Sequence, residues 1–153
     1  TGKKITPNVS LSLLDIPLTN GKDYTISYKN NKNVGAATIV LKGKGRFYGK
    51  KSIQFNILPA AVKLSSVKAG SKQLTVTWKK GSGIDGYEVE YSLKNNFKNS
   101  SNVNISKAST VKTVIKNLKA KKTYYVRVRT YKKSGGKLYY SEWSNIKMVT
   151  TKK

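Results

Sequence analysis

The chain has 153 residues, 37% of them hydrophobic, enough for one ordinary domain or two small ones but not for a large enzyme cleft. It contains no Cys and no His, which excludes a disulfide framework, a thiolate metal site and the common His-dependent catalytic triads. The net charge is +25, from 28 Lys and three Arg against six acids, and the lysines run from Lys3 to Lys153 with no block of five. That charge has two readings. A basic surface can meet a polyanion such as nucleic acid, teichoic acid or an acidic glycan. Alternatively, lysines on strand edges and loops keep β-modules soluble and unpaired. Arg, the usual reader of phosphates and base edges, is scarce, which favours the second reading. No apolar run approaches the ~20 residues that span a bilayer, so no membrane span is expected in these residues. Thr1 reads as a cut inside a longer chain.

Val, Ile, Thr and Tyr-rich stretches separated by Gly, Asn and Lys predict an all-β chain. In residues 1–58, Val9, Leu11 and Leu13 predict a first strand, followed by a loop from Pro17 to Gly21. Strands are predicted over 23–28, 37–42 and 51–57. Tyr24, Ile26 and Tyr28 share one face, as do Ile53, Phe55 and Ile57. Asn30-Asn31-Lys32-Asn33 and Gly43-Lys44-Gly45 are turn clusters, because Asn and Gly tolerate positive φ. The run from Gly43 to Gly49 is not a phosphate loop. That pattern needs Lys-Ser or Lys-Thr after its last glycine and then a helix, whereas Lys50-Lys51-Ser52 leads into a strand.

This segment resembles a small bacterial immunoglobulin-like repeat of surface proteins. The resemblance rests on Thr1 to Pro7, Gly21 to Asn31, Gly35-Ala36-Ala37 and Gly43 to Gly49. Phe47 stands where the repeat usually has tyrosine, and the strand that normally precedes Thr1-Gly2 is missing or shortened. The junction Ile57-Leu58-Pro59-Ala60-Ala61-Val62 has one proline and no Gly/Ser tract. It predicts a short linker with restricted bending and two domains set end to end.

Residues 59–153 predict seven strands. They begin near Val62-Lys63-Leu64 and continue with 73–78, 86–91, a short strand at 103–105, one lined by Val111, Thr113 and Ile115, one from Tyr124, and 146–150. The turn Ser134-Gly135-Gly136-Lys137 is read as separating the last two. Alternation points Leu74, Val76, Trp78, Tyr87, Val89, Tyr91, Tyr124, Val126 and Val128 inward.

Leu118, six residues before Tyr124, together with Trp78 upstream and Tyr140-Ser141-Glu142-Trp143-Ser144 downstream, makes 59–153 resemble a fibronectin type III domain. The resemblance implies a β-sandwich in which Trp78 is the core tryptophan and Leu118 and Tyr124 form the tyrosine corner. Ala120 stands where proline is frequent. An Arg-Gly-Asp motif is absent from 134–137, so integrin binding is not implied. Tyr140 to Ser144 is similar to the Trp-Ser-x-Trp-Ser motif of cytokine-receptor fibronectin domains, with tyrosine replacing the first tryptophan. That similarity implies rings interleaved with Arg127 and Arg129 through cation–π contacts.

The six acids are Asp15, Asp23, Asp85, Glu88, Glu90 and Glu142. Glu88 and Glu90 lie ~7 Å apart on one face of a strand. The strand of Arg127 and Arg129 is expected to pair with theirs, all four side chains outward, as cross-strand ion pairs rather than a glycosidase pair. No catalytic residue, metal site or cofactor is expected. Arg127, Arg129, Tyr139, Tyr140 and Trp143 form the candidate ligand-binding face, either a stiffening ladder or a platform for sugars. Tyr48, Tyr125, Tyr131 and Tyr139 sit among lysines, yet no nucleic-acid module signature accompanies them. A Lys–Asn crosslink would need a buried acid, for which Asp15 and Asp23 are the candidates.

The expectation is therefore two tandem β-sandwich domains, 1–58 and 59–153, monomeric and non-enzymatic. By resemblance they are a structural or adhesive spacer of a secreted or cell-surface protein of a Gram-positive, clostridial-type bacterium. The alternative is a module binding a glycan or cell-wall polyanion, possibly accessory to an enzyme elsewhere on the chain. Another protein is a further possible partner.

Overall fold

The structure is a computed structural model that describes residues 2–153. It divides into two compact units, Thr1–Leu58 and Pro59–Lys153. No helix occurs among the described residues, and none is therefore long and apolar enough to cross a membrane.

The first unit is built on a meander of β3 (Tyr24–Lys29), β4 (Gly35–Gly43) and β5 (Lys50–Ile57). Register places Ile26 opposite Leu41, Tyr28 opposite Ile39, and Ile39 opposite Ile53, so one face collects the apolar side chains. Tyr24, Ile39 and Leu41 are buried there against Val9, Leu11 and Leu18. The segment over this face is held by the tyrosines themselves. Tyr28 donates its hydroxyl to Pro7 O (2.8 Å), and the Tyr24 hydroxyl approaches Val9 O (3.5 Å).

The expected loop at 17–21 is corrected. β1 (Leu11–Leu13) and β2 (Ile16–Leu18) form a hairpin, with Pro17 opposite Ser12. Its turn residues, Leu14 and Asp15, both have positive φ (48° and 66°). Such turns favour Asn-Gly, so leucine and aspartate gave no signal. The glycine run after β4 is a β connection. A Cβ on Gly43 would stand 2.5 Å from Phe47 O, so the returning loop needs glycine there.

The second unit packs two sheets. One holds β6 (Leu64–Gly70), β7 (Gln73–Trp78) and β10 (Lys112–Ile115) in the order β10-β7-β6. The other holds β8 (Gly86–Ser92), β9 (Ser101–Ile105), β11 (Thr123–Ser134), β12 (Lys137–Tyr140) and β13 (Lys147–Thr150). The core between them contains Leu64, Leu74, Val76, Trp78, Tyr87, Val89, Ile115, Leu118, Tyr124, Val126 and Val128. Trp78 packs on Tyr87 with ring centroids 5.2 Å apart. The Tyr87 hydroxyl donates to Ala108 O (3.0 Å) and accepts from Gly81 N (2.9 Å), so this fully buried phenol is satisfied.

Eight strands replace the seven expected. The 134–137 turn closes a β11–β12 hairpin instead of leading directly to the last strand. β12 pairs with the C-terminal part of β11, and β13 with its N-terminal part, Val126 to Thr123. Between them residues 141–146 leave the ladder, and two serines fill the gap. Ser141 N donates to Thr130 O (3.0 Å) while Ser141 Oγ accepts from Thr130 N (3.0 Å). Ser144 repeats the pattern on Val128, at 2.8 and 3.0 Å. A hydroxyl takes the place of a partner carbonyl, so β11 keeps its bonds where its neighbour bulges away.

Tyr124 turns the corner into the second sheet. Its hydroxyl accepts from Lys119 N (3.1 Å), beneath the buried Leu118. Tyr124→Phe removes that acceptor and leaves the part-buried Lys119 N–H unpaired. A loss of about 1–2 kcal/mol in urea unfolding of the chain is expected, with little change in the slope of the transition.

Candidate functional site

The outer face of the β11 sheet gathers most of the aromatic and charged side chains singled out from the sequence. Alternation along β11 sends Tyr124, Val126, Val128 and Thr130 inward and Tyr125, Arg127, Arg129 and Tyr131 outward. β8 pairs with it in a register that sets Arg127 opposite Glu90 and Arg129 opposite Glu88.

Both ion pairs form. Arg127 Nε lies 2.5 Å from Glu90 Oε2, and Arg129 Nη2 lies 2.6 Å from Glu88 Oε2. The carboxylates point outward as expected, yet they are buried, with Glu88 only 5% and Glu90 7% exposed. β9 and its entry loop complete their coordination. Asn102 Nδ2 donates to Glu88 Oε1 (2.7 Å), and Ser100 Oγ donates to Glu90 Oε1 (2.5 Å). Both oxygens of each carboxylate therefore accept a bond, which is what makes burial of a charge tolerable.

The guanidinium planes are covered by rings. Arg127 lies 3.9 Å from the Phe97 centroid and 4.3 Å from that of Trp143. Arg129 lies 4.3 Å from Trp143 and 4.0 Å from Tyr140. The order is Phe97, Arg127, Trp143, Arg129, Tyr140: one continuous stack across the sheet. Cation–π contacts of this kind contribute about 0.5–2 kcal/mol each.

Four of the five residues of the candidate face are thus brought together: Arg127, Arg129, Tyr140 and Trp143. Tyr139 is not among them. It pairs with Lys132 on the opposite face of the sheet, is buried, and has the Lys137 ammonium 5.6 Å from its ring. In a strand, neighbours alternate faces, so Tyr139 and Tyr140 cannot share one. Phe97 was missed by the sequence reading. It lies in a polar loop with φ 57°, and only the presence of a lone aromatic among Lys and Asn could have drawn attention to it.

Trp78, Leu118 and Tyr124 lie in the core of the same unit, apart from this face. Asp15 and Asp23, the candidate acids for a Lys–Asn crosslink, are not buried; Glu88 and Glu90 are. Asn102 does touch a buried acid, but the cation beside it is Arg129, not the lysine a Lys–Asn crosslink requires. No group of three acidic side chains comes together to hold a metal among the described residues.

At the end of this sheet Asp85 accepts from Lys133 N (2.8 Å) and Lys132 Nζ (3.2 Å). The Lys133 backbone bond, aided by Lys132 and opposed by partial burial, holds its carboxyl below the usual range. Burial, with the charge of Asp85 and the proximity of Tyr140, raises the Tyr131 phenol above its ordinary value.

The geometry fixes three expectations. Arg127→Ala strands Glu90 without its cation and should cost about 3–5 kcal/mol in chemical denaturation. The double variant Arg127→Met/Glu90→Gln should cost clearly less than Arg127→Ala alone. For Asp85, a depressed folded-state pKa means its contribution is full above the unfolded value of about 3.9 and is lost as pH falls through the lower folded value. Thermal denaturation from pH 2 to 6 should therefore show a shallower acid decline for Asp85→Asn than for the parent chain.

Comparison with known proteins places this geometry. No curated protein matches the sequence. Among solved structures, the fold of the chain is similar to the solution structure of the fn3 domain of human contactin 1, at TM-score 0.53 and 18% identity, covering 61% of this chain and 78% of that one. It is also similar to the chicken CNTN1 FN1-FN3 domains, at TM-score 0.54 and 20% identity over 79% of this chain and 44% of that one. A β-1,2-glucanase from Parabacteroides distasonis matches at TM-score 0.52 and 18% identity, over 76% of this chain but only 18% of the glucanase. At these identities the likeness concerns fold alone. The sequence family described as Fibronectin type III domain matches residues 59–147, which contain the paired glutamates, both stacked arginines and the corner tyrosine. Through those residues the chain belongs to the fibronectin type III family.

Proposed function

We propose that the chain is a non-catalytic spacer and presenting module of a larger secreted or cell-surface protein, extracellular and of Gram-positive bacterial type. In this reading residues 1–58 are a small immunoglobulin-like repeat preceding the fibronectin type III domain of 59–153. The observation that carries it is the saturation of the face that was the leading candidate for binding. Each stacked arginine has an aromatic ring on both sides of its plane and a carboxylate at its edge. Groups so engaged stiffen a sheet and have little left to offer a ligand. Family membership supports the same reading, since fibronectin type III domains are commonly structural or adhesive and typically non-catalytic.

A second reading is favoured by one observation. The outward face of the β10-β7-β6 sheet carries the exposed Lys68 and Lys112 on either side of Thr75 and Thr77. Glu88, Glu90 and Asp85 are all engaged on the other sheet. Exposed lysines on one sheet face suit a linear cell-wall polyanion such as teichoic acid.

Sedimentation with purified Gram-positive cell walls, with and without teichoic acid, at ~50 and ~300 mM salt separates the two. The spacer reading expects no more than weak retention at either salt. Retention that requires teichoic acid and disappears at high salt would replace it with the polyanion reading.

A further inference from the structure

A cleft of about 390 Å³ opens beside the last ring of the stack, lined by Asn104, Tyr131, Lys133, Gly136, Leu138 and Tyr140. Its floor is built in an unusual way. Tyr131 stands opposite Gly86 in the β11–β8 register, and a Cβ on Gly86 would fall 2.6 Å from the Tyr131 hydroxyl oxygen and 2.7 Å from Cζ. The ring therefore lies down across β8, through the space that any other residue at position 86 would fill. Its hydroxyl reaches 3.4 Å from Ile105 O on β9. The phenol is laid along the sheet against Gly86 and is partly exposed. Tyr140 forms a wall, with its ring centroid 6.1 Å from that of Tyr131 and its plane inclined at 56°.

The remaining groups are polar or positive. Asn104 is exposed on the outward row of β9, next to the floor. Lys133 gives its backbone N–H to Asp85, while its side chain is exposed at the rim. Leu138, 44% exposed, closes the side of the hairpin. A flat ring for the C–H face of a pyranose, an amide for its hydroxyls and an ammonium for a carboxylate are the parts a uronic-acid sugar needs. A long alkyl chain would leave the amide and the ammonium unused. The excess of lysine over acid in this unit adds charge complementarity.

We infer that the cleft of Tyr131, Tyr140, Asn104 and Lys133 is a subsite for a hexuronic-acid residue of an acidic oligosaccharide. The arginine–tryptophan stack next to it is its support and not its contact surface. The inference goes beyond the spacer reading, and its failure would leave that reading standing.

The test is a ¹⁵N–¹H spectral titration of the whole chain with tetragalacturonate, with neutral cellotetraose as the control. Saturable shifts confined to the Asn104 side-chain amide, Gly136 and Leu138 are expected, with affinity on the order of 1 mM for the acidic probe and about threefold or more weaker for the neutral one. Tyr131→Leu should weaken binding about tenfold while the spectrum stays dispersed, and Lys133→Gln should bring the acidic probe down to the neutral one. Leu138→Asp, at an exposed position, places a carboxylate at the rim and should weaken the acidic probe selectively, which keeps the test decisive if Tyr131→Leu unfolds. Shifts spread over lysines of both sheets and abolished by ~300 mM salt would overturn the site, since they report diffuse charge. So would the absence of shifts with either probe. Equal binding of the two at the cleft would overturn the assignment to an acidic sugar.

Discussion

β11 must satisfy two neighbours along its whole length while its other two sides face a core and solvent, and most features of the second unit follow from that. On one edge it is paired with β8 from Tyr125 to Tyr131. On the other, no single strand serves: β13 takes the start and β12 the end. An N–H left bare in the gap would cost about 1–3 kcal/mol. The Ser141 and Ser144 hydroxyls take up those donors at Thr130 and Val128, both fully buried residues. The three-residue step between the serines lets the chain bulge outward between anchors, and the bulge is what lifts Trp143 over the sheet.

Beneath Trp143 the sheet buries two carboxylates and covers two guanidinium groups. Desolvation opposes this strongly, and Coulomb attraction alone roughly cancels it. Cation–π contacts on both faces of each arginine and amide or hydroxyl donors on each glutamate tip the balance. A one-residue slip of β11 against β8 would turn Arg127 and Arg129 into the space now held by Val126 and Val128, both fully buried. The ion pairs therefore fix the register, which in turn fixes where Tyr131 and Gly86 meet.

The second unit was legible because its signals are local. Period-two alternation marks β7, β8 and β11, and the Leu118–Tyr124 spacing marks the corner. Even the Arg–Glu pairing followed from topology. What escaped was set by geometry that carries no sequence signature. The Leu14-Asp15 turn uses positive φ without Asn or Gly. The split between β12 and β13 depends on serines acting as carbonyl substitutes. Tyr139 and Tyr140 are adjacent on β12, and a strand divides adjacent residues between its two faces. Burial of Glu88 and Glu90 could not be read from their own strand, because the groups that engage them, Arg127, Arg129, Ser100 and Asn102, come from β11, β9 and the loop before β9.

The division of labour between arginine and lysine clarifies the charge. All three arginines stack on rings: Arg46 on Phe47, Arg127 on Phe97 and Trp143, and Arg129 on Trp143 and Tyr140. At Arg127 and Arg129 the planar, weakly hydrated cation is placed where it is partly desolvated, whereas most of the strongly hydrated ammonium groups meet water. In the second unit three of the four acids, Asp85, Glu88 and Glu90, are already paired. The exposed charge of that unit is thus almost wholly lysine, hydrated and repelling other copies, which protects the outer edge of β10. The same coat lowers the discrimination of any ionic contact it makes. Selectivity on this surface must come from a place where lysine charge is joined to shape, and the cleft beside the glycine-seated Tyr131 joins the two at Lys133.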